Sequence, residues 1–190
     1  MGTEAAVHRT SDVQSEFLKS EPMSDPSKAT KLAVVGGGPG GYAAAFLAAD
    51  LGMQVALIDP EVNPGGVCLY RGCIPSKALL HVAKLLSEAQ QAADWGIKFS
   101  EPKIDLNKLR GWKDGVVGKL TGGLGQLSKQ RAVSYIQGTA GFVNSNTLSI
   151  KGKTGGEEQL TFQHAIIATG ARPAAIPGAP PNSSRVLDSS

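Results

Sequence analysis

The clearest hydrophobic pattern lies near the N-terminus, where two short apolar runs flank a glycine-rich turn and an alanine-rich stretch. Lys31 to Val35 is a β-favouring run that ends in glycines, and Gln54 to Asp59 is a second apolar run. Between them, Tyr42 to Leu51 is rich in alanine, a strong helix former, and Gly52 ends it. This order predicts a βαβ unit, whose two strands must run parallel.

Two longer stretches have helical periodicity. From Ile74 to about Ala93 apolar residues recur at three- and four-residue spacing, and the same spacing continues from Leu106 to Leu127. Asp105 is suited to cap the second helix. Glycines interrupt that helix, and we expect them to weaken it and to allow close packing against a neighbour. They are Gly115, Gly118, Gly122, Gly123 and Gly125.

The last third of the chain has the alternation and turn residues of short strands. The predicted strands are Val133 to Gln137, Thr139 to Val143, Thr147 to Lys151 and Gln159 to Thr169, with a hairpin-like turn at "GKTGGEE". The predicted fold class is therefore α/β, a parallel sheet that begins with the βαβ unit, together with a small β-meander.

Composition excludes several classes of protein. The chain has 190 residues, 41% hydrophobic and 18% charged, with a formal net charge of +3. No basic run is interleaved with aromatic residues, so a nucleic-acid surface is not favoured. No apolar run approaches the roughly 18 residues that span a membrane. Two cysteines do not make a secreted disulfide framework, and we expect a cytoplasmic protein.

Residues 1–30 have no apolar period and no signal-peptide core, and they are too acidic for a transit peptide. Ala6 stands where a myristoylation signal needs a hydroxyl residue. We expect a flexible leader, with a docking segment as the alternative.

The glycine turn satisfies the pattern G-x-G-x-x-G at Gly36, Gly38 and Gly41, between a predicted strand and a predicted helix. The three glycines are expected to make the tight turn, to admit a pyrophosphate and to let helix and strand pack closely. Asp59 ends the second strand, where a carboxylate can accept hydrogen bonds from a ribose diol. The pattern predicts a dinucleotide site and does not choose between FAD and NAD.

The only two cysteines are Cys68 and Cys73. Two cysteines are too few for a zinc site, and so short a loop gains little from a structural disulfide. On a regular helix, residues five apart lie too far apart to form a disulfide, but Gly72 and Pro75 offer a means of distortion. The residues alone leave two free thiols or an exchangeable pair open. With Arg71 and Lys77 nearby, a cysteine near a helix N-terminus should have a lowered pKa.

The segment "GGVCLYRGCIPSKALL" closely resembles the redox-active segment of the flavin disulfide reductases, and among them the dihydrolipoyl dehydrogenases. In that family C-x4-C is followed by Pro-Ser-Lys and comes after an FAD-binding G-x-G-x-x-G. "LTGGL" at 120–124 and "AIIATGARP" at 165–173 are also similar to family motifs. The resemblance runs from Lys31 to Ser190.

The resemblance implies a redox role for three residues. Cys68 would be the interchange thiol that forms the mixed disulfide with substrate, and Cys73 would lie beside the flavin ring as the charge-transfer thiolate. Lys77 would lie near the reactive edge of the ring and stabilise negative charge on the reduced cofactor.

The resemblance also implies that FAD is the bound dinucleotide. Gly36, Gly38 and Gly41 would hold its pyrophosphate, and Asp59, where the family usually has Glu, its adenosine ribose. The other residues that would lie close to the cofactor are Gly65, Gly66, Ala140, Thr169 and Gly170.

The implied activity is oxidation of dihydrolipoyl groups of 2-oxo-acid dehydrogenase complexes with NAD⁺ as final acceptor, by a homodimer. Residues 31–175 would form a Rossmann-like FAD-binding domain with the redox-active disulfide, and residues 176–190 a linker to an NAD-binding domain. His81 and His164 do not match the family's acid–base His, so we expect this chain alone to be inactive; His164 is expected to be a packed or edge residue. Alternatives are a glutathione or mercuric reductase and a non-catalytic FAD-binding module.

Overall fold

The structure, a computed structural model, describes residues 29–153, 155–174 and 178. The strands are β1 (Ala29–Val35), β2 (Val55–Asp59), β3 (Ser134–Asn144), β4 (Thr147–Gly152) and β5 (Glu157–Ile167). The helices are α1 (Pro39–Asp50), α2 (Gly66–Tyr70), α3 (Cys73–Gln91) and α4 (Leu106–Gln130), and a 3₁₀ turn, Ala92–Trp95, follows α3. Nearly all of the predicted leader and linker lies outside the described residues.

The five strands form one closed ring in the order β1-β2-β3-β4-β5. β1 pairs in parallel with β2 and with β5, and β2 pairs in parallel with β3. β4 joins β3 and β5 through antiparallel pairs. β3 and β5 are long, and each pairs with one parallel neighbour and with β4. In β3, residues 134–137 pair with β2, and the residues that follow pair with β4. The fold is thus mixed α/β.

β1 and β2 bury side chains on both of their faces, which explains why both read as continuous apolar runs. Successive side chains alternate between the faces. One set packs inside the ring: Ala33, Val35, Ala56, Ile58, Leu148, Ile150, Leu160 and Phe162. The other set packs under α1: Leu32, Val34, Ala45, Ala48, Val55, Leu57 and Val133. The core therefore fixes the carboxyl ends of β1 and β2 next to each other.

Several predicted boundaries need correction. β1 begins at Ala29, two residues before the predicted start, and β5 ends at Ile167, before the predicted end at Thr169. The two strands predicted on either side of Gly138 are one strand, β3. The sequence did not predict α2, because five residues are too few for a helical period to emerge.

Asp105 caps α4 as predicted: its Oδ1 accepts the backbone N–H groups of Asn107 and Lys108 at 3.0 and 3.1 Å. The prediction that the glycines of α4 allow close packing is wrong for all but one of them. A side chain at Gly115, Gly118, Gly122 or Gly123 would meet nothing within 4 Å, and only one at Gly125 would meet Asn63. The reason is that α4 buries few of its residues, chiefly Thr121 and Ser128.

Candidate functional site

The turn between β1 and α1 is held tightly by its glycines. Gly36 has φ +105°, in the region that favours glycine, and its N–H donates to the Ile58 carbonyl at 2.8 Å. A Cβ on Gly36 would overlap the Ala168 carbonyl, and one on Gly41 would overlap the Gly36 carbonyl oxygen. These two glycines close the strand–turn–helix corner as the sequence predicts.

Gly38 has a different role, since the space beside it is open. The nearest atom to a Cβ at Gly38 would be the Gly66 Cα, 3.9 Å away. Gly38 is also the N-cap of α1, and no side chain caps that helix end. Backbone N–H groups at the start of a helix, with the positive end of its dipole, form a favourable site for phosphate. This end of α1 thus has room and charge suited to a pyrophosphate.

Asp59 is buried at the carboxyl end of β2 and faces the same turn. Its Oδ2 accepts the Gly37 N–H at 2.6 Å, and its Oδ1 accepts the Glu61 N–H at 2.9 Å. Each carboxylate oxygen accepts more than one hydrogen bond, so both retain capacity for a ribose hydroxyl. No role was predicted for Gly37, although a Cβ there would lie only 3.0 Å from the Asp59 Cβ. The run of three consecutive glycines, Gly36 to Gly38, could have indicated this close packing.

β3 supplies two side chains that hold the turn after Asp59, and the sequence did not predict either. The Tyr135 hydroxyl donates to the Glu61 carbonyl at 2.9 Å, and the Gln137 amide donates to the Pro60 carbonyl at 3.1 Å. Burial raises the pKa of Tyr135 above its usual value of 10.0, and the nearby charge of Asp59 acts in the same direction. The phenol therefore keeps the proton that it donates.

The helix that carries the cysteines is broken between them. Cys68 lies in α2, Cys73 begins α3, and Arg71 and Gly72 form the break. A Cβ on Gly72 would lie 3.1 Å from the Val67 carbonyl, so the break packs closely against α2. Both cysteines are free thiols, and Cys68 is hydrogen-bonded to Cys73.

The break lies where a distortion by Gly72 and Pro75 was predicted. Pro75 is in the first turn of α3 and has no N–H to donate to the Arg71 carbonyl, so a continuous helix through Arg71 would lack that hydrogen bond. The next N–H, of Ser76, bonds normally to the Gly72 carbonyl at 3.1 Å. Regular helical bonding thus resumes at Gly72.

The expectation of a lowered cysteine pKa is wrong for Cys68. The hydrogen bond with the Cys73 thiol raises the pKa of Cys68, and burial and the charge of Cys73 raise it further. The Cys73 backbone N–H and the charge of Lys77 act in the opposite direction but are weaker. The neighbouring sulfur therefore decides the direction of the pKa shift of Cys68.

A cavity of about 320 Å³ joins the glycine turn to the cysteine segment. Its lining residues are Gly36, Gly38, Pro39, Gly40, Asp59, Val67, Cys68, Ala168, Thr169, Gly170 and Ala171. Six of the predicted site residues are among them. Two more predicted residues pack against residues that line the cavity: Gly41 against Gly36, and Gly66 against Gly38. Gly65 is tied to the same turn, since its N–H donates to the Gly37 carbonyl at 2.7 Å.

The three remaining predicted site residues neither line this cavity nor pack against its lining glycines. Cys73 is exposed and reaches it only through its hydrogen bond to Cys68. Lys77 is exposed on α3, close enough for its charge to act on the Cys68 thiol. Ala140 lies on β3 and lines a separate cavity of about 330 Å³.

The remaining features do not add to the site. His81 is exposed on α3, and His164 is exposed on β5. A cavity of about 370 Å³ at the amino ends of β1 and β2 contains none of the predicted site residues. Within residues 29–153 and 155–174, no three His, Cys, Asp or Glu side chains come together as a metal site would require. None of the helices in these ranges has the length and apolar character needed to cross a membrane.

Comparison with known proteins gives one family and a consistent set of relatives. The family model described as pyridine nucleotide-disulphide oxidoreductase matches residues 30–190. The dihydrolipoyl dehydrogenase of Haemophilus influenzae is 48% identical over 160 residues, which cover 84% of this chain and 34% of that protein. That of Vibrio cholerae is 46% identical over 167 residues, 88% of this chain and 35% of the relative.

A third relative gives the same result. Dihydrolipoyl dehydrogenase 2 of Haloarcula marismortui is 44% identical over 158 residues, 82% of this chain and 33% of the relative. The chain thus spans about a third of the length of the curated relatives it matches.

Proposed function

The chain belongs to the pyridine nucleotide-disulphide oxidoreductase family, and we propose that it forms the FAD-binding part of a dihydrolipoyl dehydrogenase. One observation carries the proposal: a single cavity is lined by the glycine turn, by Asp59 and by Cys68. A dinucleotide in that cavity would lie beside a pair of thiols that can form and break a disulfide. The names of the relatives support dihydrolipoyl groups as the dithiol.

The residues of the cavity fit FAD. The open space at Gly38 and the uncapped start of α1 suit its pyrophosphate. Asp59 is positioned by two backbone N–H groups and has acceptor capacity for the adenosine ribose. Thr169 and Gly170 follow β5 and close the cavity on the far side of the turn. Only the resemblance to the family assigns Ala140, which lines a separate cavity, to the adenine end of the cofactor.

The two sulfurs accept the electrons of the substrate. A substrate thiolate attacks the Sγ of Cys68, so that the Cys68–Cys73 disulfide breaks and a mixed disulfide forms. The second substrate thiolate then displaces Cys68, which closes the cyclic disulfide of the product and leaves the protein with two electrons more. Bound FAD would supply the two-electron redox chemistry that connects this dithiol to NAD⁺.

The electrostatics of the pair support different roles for the two sulfurs. The hydrogen bond with Cys73, together with burial, raises the pKa of Cys68, so the Cys68 thiol keeps its proton to a higher pH. Cys73 is the sulfur that we assign to the flavin, and a thiolate is the form that donates electrons. Lys77, on the same helix, is assigned to stabilising negative charge on the reduced cofactor.

The rest of the organisation is proposed from the relatives. Residues 31–175 form the FAD-binding domain, and residues 176–190 lead to an NAD-binding domain. The acid–base His comes from outside these 190 residues, in a homodimer that serves the 2-oxo-acid dehydrogenase complexes in the cytoplasm.

The cofactor proposal is tested by FAD titration of the purified chain and of Gly38→Val. We expect one FAD per wild-type chain, identified after heat release, and at least a tenfold weaker affinity in Gly38→Val, because the added methyl groups fill the open space. Gly123→Ala, which meets nothing within 4 Å, is the control and should bind FAD like the wild type. A wild-type chain that binds no flavin, or a Gly38→Val variant with unchanged affinity, would contradict the proposal.

A further inference from the structure

Arg71 lies in the break between the two cysteine-bearing helices and is bound to a residue outside them. Its guanidinium Nη2 contacts the Glu61 Oε1 at 2.6 Å. Its backbone N–H donates to the Val67 carbonyl at 2.9 Å, which ends α2. The side chain therefore connects the point where the chain changes direction to the turn that follows β2.

The Glu61 end of this ion pair is itself anchored. The Glu61 N–H donates to the Asp59 carboxylate at 2.9 Å, and the Glu61 carbonyl accepts the Tyr135 hydroxyl at 2.9 Å. Asp59 belongs to the most buried strand of the fold. The backbone of Glu61 is thus held in place and its side chain is 27% exposed, whereas the pair Lys84–Glu88 joins side chains that are 72% and 58% exposed, at 3.5 Å.

A second bond connects the same two segments. The Tyr70 hydroxyl donates to the Asn63 carbonyl at 3.1 Å. Consecutive residues of the cysteine segment, Tyr70 and Arg71, therefore both bind the stretch between β2 and α2. This stretch holds the end of α2 and the break at Gly72 in one orientation.

We propose that the Glu61–Arg71 ion pair positions Cys68 and Cys73 for disulfide exchange, which makes Arg71 a positioning residue of the redox pair. The inference rests on the proposed function. Residues five apart on a continuous helix are too distant to form a disulfide, so the pair depends on the break. Without the ion pair, the segment samples conformations in which the sulfurs are apart, and the effective concentration of one thiol at the other falls.

The test is the equilibrium between the protein dithiol and trans-4,5-dihydroxy-1,2-dithiane, the oxidised form of dithiothreitol. In this exchange the Cys68–Cys73 bond forms as the reagent's S–S bond breaks, and two protons and two electrons pass to the reagent. We expect Arg71→Gln and Glu61→Gln each to lower the equilibrium constant for disulfide formation roughly two- to fivefold. The double variant should fall no further, since both changes remove one interaction.

Two variants sharpen the comparison. Arg131→Gln removes another surface ion pair, Arg131–Asp50 at 3.0 Å, far from the cysteines along the chain, and should leave the equilibrium unchanged. Arg71→Lys keeps the charge and should lie between Arg71→Gln and the wild type. If circular dichroism shows that Arg71→Gln is unfolded, the comparison is made with Glu61→Gln and Arg71→Lys instead.

The outcomes separate the two proposals. A wild-type chain that forms no intramolecular disulfide overturns the proposed function and this inference with it. A wild type that forms the disulfide, with Arg71→Gln and Glu61→Gln equal to it or to Arg131→Gln, overturns the inference alone.

Discussion

Gly40 and Gly41 are neighbours in the turn before α1, but their surroundings differ. A Cβ on Gly40 would meet nothing within 4 Å, whereas one on Gly41 would overlap the Gly36 carbonyl oxygen. The contact at Gly41 is with backbone, which cannot move aside without opening the corner between β1 and α1.

We therefore predict opposite effects of alanine at these two positions. Gly41→Ala should lower the free energy of unfolding by about 2 kcal/mol, as overpacking does. Gly40→Ala should cost nothing and gain up to about 1 kcal/mol from better helix propensity. Urea denaturation of the flavin-free chain measures both. Equal stabilities of the two variants would show that the corner is not as tight as described.

The direction of the Cys68 pKa shift gives a second prediction at this scale. Because the hydrogen bond with Cys73 raises the pKa above its usual value of 9.0, alkylation of Cys68 in the reduced chain should require a pH higher than 9.0. Cys73→Ala removes both the neighbouring thiolate charge and the side-chain hydrogen bond, so the alkylation profile should move to lower pH. Iodoacetamide labelling with peptide mass spectrometry follows Cys68 separately from Cys73. A profile that stays unchanged or moves to higher pH in Cys73→Ala would contradict the account.

The site residues that the sequence could predict are those with local signals. Gly36, Gly38 and Asp59 stand at fixed places in one strand–turn–helix–strand unit, so their spacing carries the information. Tyr135 and Gln137 approach the same turn from β3, 74 and 77 positions away along the chain from their partners Glu61 and Pro60. Nothing near either residue in the sequence indicates that contact.

At the scale of the elements, the break between α2 and α3 shows a limit of periodicity. Apolar spacing places the helix from Ile74 onward, and α3 does begin at Cys73. The separate five-residue helix before it depends on Gly72, which lets the chain turn while packed on the Val67 carbonyl. A period cannot be detected in so short a segment, so only Gly72 and Pro75 indicated a change of direction.

The glycines of α4 provide a test of the helix packing. Gly118 has open space around it, whereas a Cβ on Gly125 would overlap the Asn63 side chain. Gly118→Ala should raise the free energy of unfolding by up to about 1 kcal/mol through helix propensity. Gly125→Ala should gain less or lose stability, because Asn63 must move. Urea denaturation of the two variants compares them directly, and a larger gain in Gly125→Ala would contradict the packing described.

At the scale of the whole molecule, the ring of strands explains where the site lies. The carboxyl ends of three parallel strands, β2, β1 and β5, meet at one edge, where the cavity opens beside Asp59, Gly36 and Ala168. Ligands of parallel α/β sheets bind at that edge. The closure of the ring could not be predicted, because it depends on β3 and β5 each pairing with two different partners.

The central claim is that one cavity places FAD beside an exchangeable pair of sulfurs. The measurement that tests it most directly is an anaerobic titration of the FAD-loaded chain with dihydrolipoamide, followed by absorbance at wavelengths beyond the flavin bands. The account predicts a long-wavelength charge-transfer band that grows as the disulfide opens. The band should be absent in Cys73→Ser and present in Cys68→Ser, since Cys73 is the sulfur assigned to the flavin. A wild type without the band, or a band that persists in Cys73→Ser and disappears in Cys68→Ser, would contradict it.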